Sequence, residues 1–508
     1  MGSSRRTALA GRPALTILLV AAAALACAAG ARAAGIVDHP DQLTFKELDY
    51  RPPAPAEYRH RLACGASAYV AENHEVPTLQ VTILVRTGSM YEPVEKAGLA
   101  GMTAYLMRNG GVAGMTPQEF DERLAFLAGE ISVGIGDAQG VASLFCLSKD
   151  TDEGLALLQK VLRTPAFDPA VLDRYRGDVL SEMEQRNAST AAIEGREWQF
   201  LMYGDHPCTR GLRRTEKSIR SITREDLIAF HETYFFPKNF ILAVCGDFET
   251  PEILEKLNAM LAGWPDRTLT LPPVPDELPG PAPGVYMIAK ADVNQSRIRV
   301  GHLGVKRDIP EQYALMVMND ILGGGGFTSR IVRRVRSDEG LAYNAGSAFD
   351  RPVLYPGTFR AWFQTKHATA AFGTQLIVDE IRRICAEECD EETVSNTKAG
   401  LVSDLVNPFS TKQAMVNTFA DDEYTGRPDA YWQSYRENLE AVTTEDVLAA
   451  ARKFLHPDQL VFLVVGDPQA VLAGSDKHPE RFADFGPITN LPLRDPMTLE
   501  APPGSGSD

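Results

Sequence analysis

The sequence predicts an α+β protein made of two homologous halves, and two observations lead to this prediction. The first is an internal repeat, in which residues 221–248 align without gaps on residues 441–468 and share eight identical positions. Each copy has the pattern of a capped helix, a turn at proline and a buried strand that ends at Gly-Asp. The second is the segment between the copies, residues 264–284, which contains seven prolines. A period of 220 residues is too long for a solenoid, so the repeat indicates a duplicated domain.

The first half also contains a strand that is followed by a helix. Apolar and polar residues alternate from 79 to 85, which predicts a half-buried strand. Apolar residues then recur at helical spacing within 97–107, and Asn109-Gly110-Gly111 is a typical helix end. The same patterns predict further helices at 117–128, 152–162 and 169–185, and strands at 130–135 and 141–147.

The beginning of the chain has the features of a bacterial export signal. Arginines precede an apolar run, and Ala31-Arg32-Ala33 provides a small-x-small cleavage site. The apolar run is shorter than the roughly 20 residues that a spanning helix needs, so we expect cleavage, a periplasmic location and no stable membrane insertion. The predicted segments are 1–33 as signal, 34–263 as N-terminal domain, 264–284 as proline-rich linker, 285–486 as C-terminal domain and 487–508 as disordered tail.

The charge of the chain restricts the class of partner. The formal net charge is −16, and it becomes −20 when the signal is removed, because the signal contains four arginines and no acid. A strongly acidic protein is a poor partner for nucleic acid or for an anionic membrane. Six cysteines remain after cleavage without a C-x-x-C pair, and we expect most of them to be small core residues.

The stretch from residue 98 to 105 reads Gly-Leu-Ala-Gly-Met-Thr-Ala-Tyr and lies on a predicted helix. Its context resembles the insulinase/pitrilysin family of zinc peptidases, whose active-site helix reads G-L-A-H-x-x-E-H. In that motif the two His hold zinc and the Glu is the general base. The corresponding positions here are Gly101, Ala104 and Tyr105, which supply neither ligands nor base. Glu182, 77 residues beyond Tyr105, stands at the position of the family's third metal ligand.

A second group of residues resembles the second domain of the same family. A run of four glycines at 323–326 precedes Arg336 and Tyr343, which are seven residues apart. No Lys-Ser/Thr follows the last glycine, so the run is not a phosphate-binding loop, and a tight turn is expected instead. In the family the equivalents of Arg336 and Tyr343 reach the substrate at the zinc, where a Tyr hydroxyl can donate to the developing oxyanion. The alternative is a surface Arg on a helix and a strand Tyr packed on its ring.

The resemblance implies both a fold and a function. The fold would be two domains, each a mostly antiparallel sheet with helices packed on one face, joined into a clam-like chain. The function would be that of a non-catalytic subunit of a heteromeric peptidase, which supplies Arg336 and Tyr343 to the zinc site of a partner that keeps H-x-x-E-H. No cofactor is then expected on this chain, and the substrate is a peptide or an unfolded polypeptide. A stand-alone peptide-binding or chaperone protein and a structural scaffold of the same fold are the alternatives.

Overall fold

The computed structural model describes His39, Leu43 and residues 50–502. The predicted signal at 1–33 and the beginning of the mature chain therefore lie outside the described residues, as do the last six residues of the predicted tail. The residues from Arg51 onward form one compact unit, to which both halves belong. Within the described residues, no helix has the length and apolar content that a membrane crossing requires.

The first half is built on a six-stranded mixed sheet. Its strands lie in the order β1-β2-β6-β3-β5-β4. Only β2 and β6 pair in parallel, and the other neighbours are antiparallel. The strands are β1 (Arg59–Arg61), β2 (Ser67–Glu72), β3 (Thr78–Val85), β4 (Glu130–Ile135), β5 (Gly140–Leu147) and β6 (Phe240–Gly246).

The second half has an equivalent sheet, in the order β12-β7-β11-β8-β10-β9. Strand β7 pairs in parallel with β11 and β12, and the remaining pairs are antiparallel. The strands are β7 (Gly284–Ala289), β8 (Gln295–Leu303), β9 (Ala345–Phe349), β10 (Thr358–Lys366), β11 (Val461–Gly466) and β12 (Ile488–Leu491). The predicted fold class, two homologous α+β halves with mostly antiparallel sheets, is confirmed.

Helices connect and cover these strands, whereas residues 262–283 between the halves contain neither helix nor strand. In the first half the helices are α1 (Leu99–Asn109), α2 (Pro117–Phe126), α3 (Thr151–Arg163), α4 (Pro169–Glu184), α5 (Thr190–Tyr203), α6 (Glu216–Ser221), α7 (Arg224–Tyr234) and α8 (Thr250–Leu261). In the second half they are α9 (Gln312–Asn319), α10 (Arg330–Val332), α11 (Ala370–Ala386), α12 (Glu391–Ser403), α13 (Lys412–Thr425), α14 (Tyr431–Glu440), α15 (Thr444–Phe454) and α16 (Pro468–Ala473).

The sequence repeat corresponds to equivalent elements in the two halves. Helices α7 and α15 both begin with a capping box, in which Thr223 and Thr443 accept a hydrogen bond from the backbone three residues later. Each helix is followed by the central strand of its sheet, β6 or β11. Both of these strands are buried along their whole length, so each sheet needs cover on both faces.

The second cover of each sheet comes from the opposite half. Helix α5 of the first half packs Ile193, Trp198 and Met202 into a cluster with apolar residues of β11. Helix α13 of the second half packs Met415 and Phe419 onto residues of β2 and β6 in the first sheet. The sequence predicted helices on one face of each sheet. The structure adds this exchange of one helix between the halves, which buries the remaining face.

The prediction of a disordered tail from 487 is wrong for residues 487–502, which we name the C-terminal strap. Strand β12 in the strap pairs with β7, and the strap then returns to the first half. There Arg494 donates to Glu197 at 3.0 Å, and its carbonyl accepts from Asn187 at 2.9 Å. The strand is only four residues long, so its apolar pattern was too short to stand out beside the Pro-Gly-Ser ending.

Candidate functional site

The N-terminus of helix α1, which carries the degenerate motif, is capped by a buried carboxylate. Gly98 precedes the helix with φ +104°, and no side chain of the N-cap residue closes the first turn. Glu92 instead accepts hydrogen bonds from the backbone N–H groups of Gly98 and Ala100, both at 2.8 Å. A carboxylate at a helix N-terminus is favourable, but this one is fully buried, and burial raises the pKa of Glu92 to about 7.

The three positions of the lost motif have different surroundings. A Cβ added at Gly101 would meet no atom within 4 Å, so this position faces open space. Ala104 is buried. The ring of Tyr105 stacks on that of Tyr175, with centroids 3.5 Å apart and ring planes at 2°. Tyr105 is thus part of the packing between α1 and α4.

Glu182 on α4 is the last of the predicted motif positions, and its side chain is 71% exposed. Its carboxylate lies 3.8 Å from the guanidinium of Arg214. One exposed carboxylate with a glycine, an alanine and a stacked tyrosine does not fit a zinc site, which needs three protein ligands of suitable type. In the described part of the chain, no group of three His, Cys, Asp or Glu side chains is placed to hold a metal ion.

A cavity of about 220 Å³ lies beside α1 where the side chains of the motif are missing. Gly101, Met102 and Tyr175 are among the residues that line it. Asp137 lines another part of it and accepts from Ser89 Oγ at 3.2 Å. Burial raises the pKa of Asp137 above its usual value. Of the four motif positions, Gly101 is among the residues that line the cavity, and Ala104, Tyr105 and Glu182 are not.

The second predicted group, Arg336 and Tyr343, is brought together by the structure. Arg336 lies in a π-helical turn at Arg333–Asp338, and Tyr343 follows in the loop before β9. The guanidinium carbon of Arg336 is 4.7 Å from the centroid of the Tyr343 ring and 4.2 Å from that of Phe327. The arginine is therefore held between two aromatic rings, an arrangement that orients it by cation–π attraction.

These two rings are exposed. Tyr343 is 85% exposed and Phe327 is 65% exposed. Tyr343 lies in a loop and not in a strand, so the alternative of a packed strand tyrosine is wrong. Neither Arg336 nor Tyr343 forms a hydrogen bond or an ion pair with the residues of 50–502, and the guanidinium and phenol keep their donors available for another molecule.

Phe327 directly follows the run of four glycines, and the sequence analysis assigned it no role. The glycine run forms a π-helical turn at Asp320–Gly324, and Gly326 has φ +67°, as the expected tight turn requires. A large apolar residue directly after four glycines is the signal that could have indicated Phe327. Neither Arg336 nor Tyr343 is among the residues that line the cavity beside α1.

Two family models match successive parts of the chain. The model for insulinase, peptidase family M16, matches residues 68–215, and the model for the peptidase M16 inactive domain matches residues 221–401. The chain belongs to the insulinase family. The family resemblance that was inferred from the degenerate motif and from the Arg336–Tyr343 spacing is therefore confirmed.

The individual insulinase-family relatives have low sequence identity to this chain, but the matches cover most of its length. An "Uncharacterized zinc protease" of Rickettsia bellii is 21% identical over 330 residues, which cover 65% of this chain and 78% of the relative. "Non-peptidase homolog YmxG" of Helicobacter pylori is 20% identical, and the match covers 78% of this chain and 90% of the relative. The crystal structure of a peptidase M16 inactive domain from Pseudomonas fluorescens superposes with a TM-score of 0.73 at 24% identity, and covers 80% of this chain and 98% of that one.

These findings agree with the geometry of the motif. This protein is an insulinase-family member that lacks the zinc-binding and catalytic residues of the family motif. Its two halves have the family architecture, and its Arg336–Tyr343 pair is assembled and exposed.

Proposed function

We propose that this protein is the non-catalytic, substrate-binding subunit of an exported heteromeric peptidase. In this proposal Arg336 and Tyr343 complete the zinc site of a partner subunit that keeps H-x-x-E-H. The partner holds the zinc, the two chains form a heterodimer in the periplasm, and the substrate is a peptide or an unfolded polypeptide.

The observation that carries this proposal is the exposed, assembled pair. Large aromatic side chains at the surface with few contacts are typical of interaction sites. Within residues 50–502 the Tyr343 hydroxyl has no hydrogen-bond partner, and the side chain is 85% exposed. The guanidinium of Arg336 is oriented by two rings, and none of its N–H groups donates to another residue of 50–502. A scaffold would gain nothing from this arrangement.

The chemistry of the pair suits a peptidase that has its metal elsewhere. A phenol hydroxyl can donate to a peptide carbonyl oxygen as that oxygen becomes an oxyanion. A guanidinium carries five N–H donors in a fixed plane and can hold neighbouring peptide carbonyls. These groups stabilise charge and position a substrate, but neither replaces the missing general base or the missing metal ligands.

A reconstitution experiment tests the proposal. The purified mature chain is mixed with an H-x-x-E-H relative encoded in the same genome, and cleavage of a quenched-fluorescent peptide is measured. We expect no cleavage by this chain alone and a large gain when it is added to the relative. A relative that is fully active alone, and unchanged by the addition, would refute the subunit role.

Two arginine variants within the same π-helical turn make the test specific. Arg336→Ala should raise KM as well as lower kcat, because a residue that holds substrate carbonyls before reaction contributes to binding throughout. Arg333→Ala is the matched control, since Arg333 is an exposed arginine of the same π-helical turn. Equal kinetics for the two variants would show that the loss at Arg336 is not specific to its site.

A stand-alone peptide-binding protein is the second candidate. It is favoured by a cavity of about 680 Å³ that lies between the two halves, within this one chain. In this case peptides bind to the chain without any relative, and the reconstitution shows no gain in cleavage.

A further inference from the structure

The cavity between the two halves is distinct from the motif on α1 and from the Arg336–Tyr343 pair. The first half contributes residues of α5 and of the turn after it, including Tyr203. The second half contributes β8, β10 and the loop after β9, including Tyr355. The two tyrosine rings meet edge to face with centroids 5.6 Å apart, and they form an aromatic wall.

Three arginines line this cavity, and two of them are matched by acids. Arg299 donates to Glu194 at 2.9 Å across the boundary between the halves. Arg360 forms two hydrogen bonds with Asp350, at 2.8 and 3.1 Å. Their charges are therefore neutralised within the protein.

The third arginine, Arg351, has no such partner. Within residues 50–502 it forms no hydrogen bond and no ion pair, and its Nη1 atom is shielded from solvent without any acceptor. Two other arginines, Arg427 and Arg307, act on its charge unfavourably while they pair with acids of their own, and Tyr431 and Tyr435 act in the opposite direction. Burial, together with these two arginines, lowers the pKa of Arg351.

An unpaired guanidinium in this setting is costly. Transfer of a charged group out of water is unfavourable unless a counter-charge and hydrogen bonds replace its hydration. Folded proteins tolerate such conflicts mainly where function needs them. The partner that Arg351 lacks is an anion, although the chain itself has a net charge of −16.

The shape of the space indicates an elongated ligand. Asp137 and Leu212 line both this cavity and the cavity beside α1, so the two spaces are neighbours. Because burial raises the pKa of Asp137, this carboxyl is more easily protonated and repels an anion less. An extended chain could place one end beside Gly101 and a charged side chain near Arg351.

We propose that the cavity between the halves binds acidic peptides, with a carboxylate of the peptide paired to the guanidinium of Arg351. This rests on the proposed function only in taking a peptide as the ligand. It adds a preference for acidic sequences and names the residue that determines it.

Two peptides that differ in one group test the preference. Both are fluorescein-labelled, capped seven-residue alanine-rich peptides, one with a central Glu and the other with Gln, and binding to the full mature chain is followed by fluorescence anisotropy. We expect the Glu peptide to bind at least tenfold more tightly, and Arg351→Gln to abolish this difference. Arg333→Gln, which removes an exposed arginine elsewhere, should leave the preference intact.

The remaining outcomes separate this inference from the proposed function. Equal binding of both peptides would overturn the acidic preference and leave peptide binding standing. If neither peptide binds, the melting temperature with glutarate alone decides. A rise in the melting temperature of the wild type that is absent in Arg351→Gln would overturn the peptide as ligand and leave a carboxylate site. No rise in either protein would overturn both the peptide ligand and the carboxylate site. Arg351→Gln removes an unpaired charge, so its melting temperature should not fall, and this excludes unfolding as the reason for lost binding.

Discussion

Two tyrosines at positions of the family motifs have different surroundings in the two halves of this protein. Tyr105, on α1 of the first half, is stacked face to face on Tyr175. Tyr343, in the second half, is 85% exposed, and its ring lies against the guanidinium of Arg336. The two sheets have equivalent strand orders, so the fold itself does not require the difference.

The difference indicates what each region is for. At α1, Ala104 and Tyr105 have been absorbed into the packing of the chain while Gly101 leaves open space, and Tyr105 contributes to stability. At Arg336 and Tyr343 the side chains contribute little to stability, because they have few contacts to lose. Residues that remain assembled without serving the fold are best explained by a binding partner or a substrate.

The largest expected effect is on catalysis by the reconstituted pair of subunits. Tyr343→Phe removes one hydroxyl and should lower kcat by roughly 10²- to 10³-fold, about 3–4 kcal/mol, which is the usual cost of losing one oxyanion donor. Steady-state cleavage of a quenched-fluorescent peptide measures it, with size-exclusion chromatography to confirm that the complex still forms. Unchanged kcat with assembly intact would make Tyr343 as inert as Tyr105 and remove the contrast between the two regions.

The next effect concerns the buried carboxylate below α1. The unfolded chain ionises Glu92 near its ordinary pKa of 4.5, whereas the native state keeps the proton until about pH 7. The native state binds more protons in this window, so the free energy of unfolding should fall as pH rises from about 4.5 to 7, by up to about 3 kcal/mol. Denaturant titrations of wild type and Glu92→Gln across this range measure it. Parallel stability profiles of the two proteins would contradict the raised pKa.

A third effect compares the two tyrosines directly. Tyr105→Ala should lower the free energy of unfolding by about 1–3 kcal/mol, because it removes a stacked ring from the contact between α1 and α4. Tyr343→Ala should change it by no more than about 0.5 kcal/mol, as expected for an exposed residue. Urea unfolding of both variants provides the comparison. Similar losses at both positions would mean that Tyr343 also serves the fold.

The smallest effect should come from Phe327, which holds Arg336 from its other side. An exposed cation–π contact contributes about 0.5–1 kcal/mol, so Phe327→Ala should raise KM by about two- to fivefold in the reconstituted complex. Phe126→Ala is the control, because Phe126 is also largely exposed, at 76% against 65% for Phe327, and lies under the guanidinium of Arg123 on α2. If both variants leave KM unchanged, the orientation of Arg336 does not depend on the second ring.

Much of the fold was readable from the sequence because its signals are local. Alternation of apolar residues placed β3, and helical spacing with a glycine end placed α1, each within a few residues of the observed bounds. The repeat placed α7 and α15, since a threonine cap and an acidic first turn depend only on neighbouring residues. The pairing of Arg336 with Tyr343 followed from their spacing in a family motif.

The features that could not be predicted from the sequence depend on contacts between residues far apart in the chain. An amphipathic helix such as α5 shows that it has an apolar face, but not which sheet that face will cover. The four-residue strand β12 has no pattern of its own and forms because β7 offers a free edge. Arg351 is one arginine among many in the sequence, and only the fold shows that it is half-buried near Arg427 and Arg307, which have acids of their own.

The exchange of helices between the halves has a consequence for how the protein is made. The first sheet is complete in sequence at Gly246, but its outer face is covered by α13, which begins at Lys412. At a synthesis rate of about 5–20 residues per second, the roughly 170 intervening residues take about 10–30 s to emerge. For that time a surface that includes Tyr69 and Ile241 has no cover, so a nascent chain of this protein should depend on chaperones until α13 has appeared.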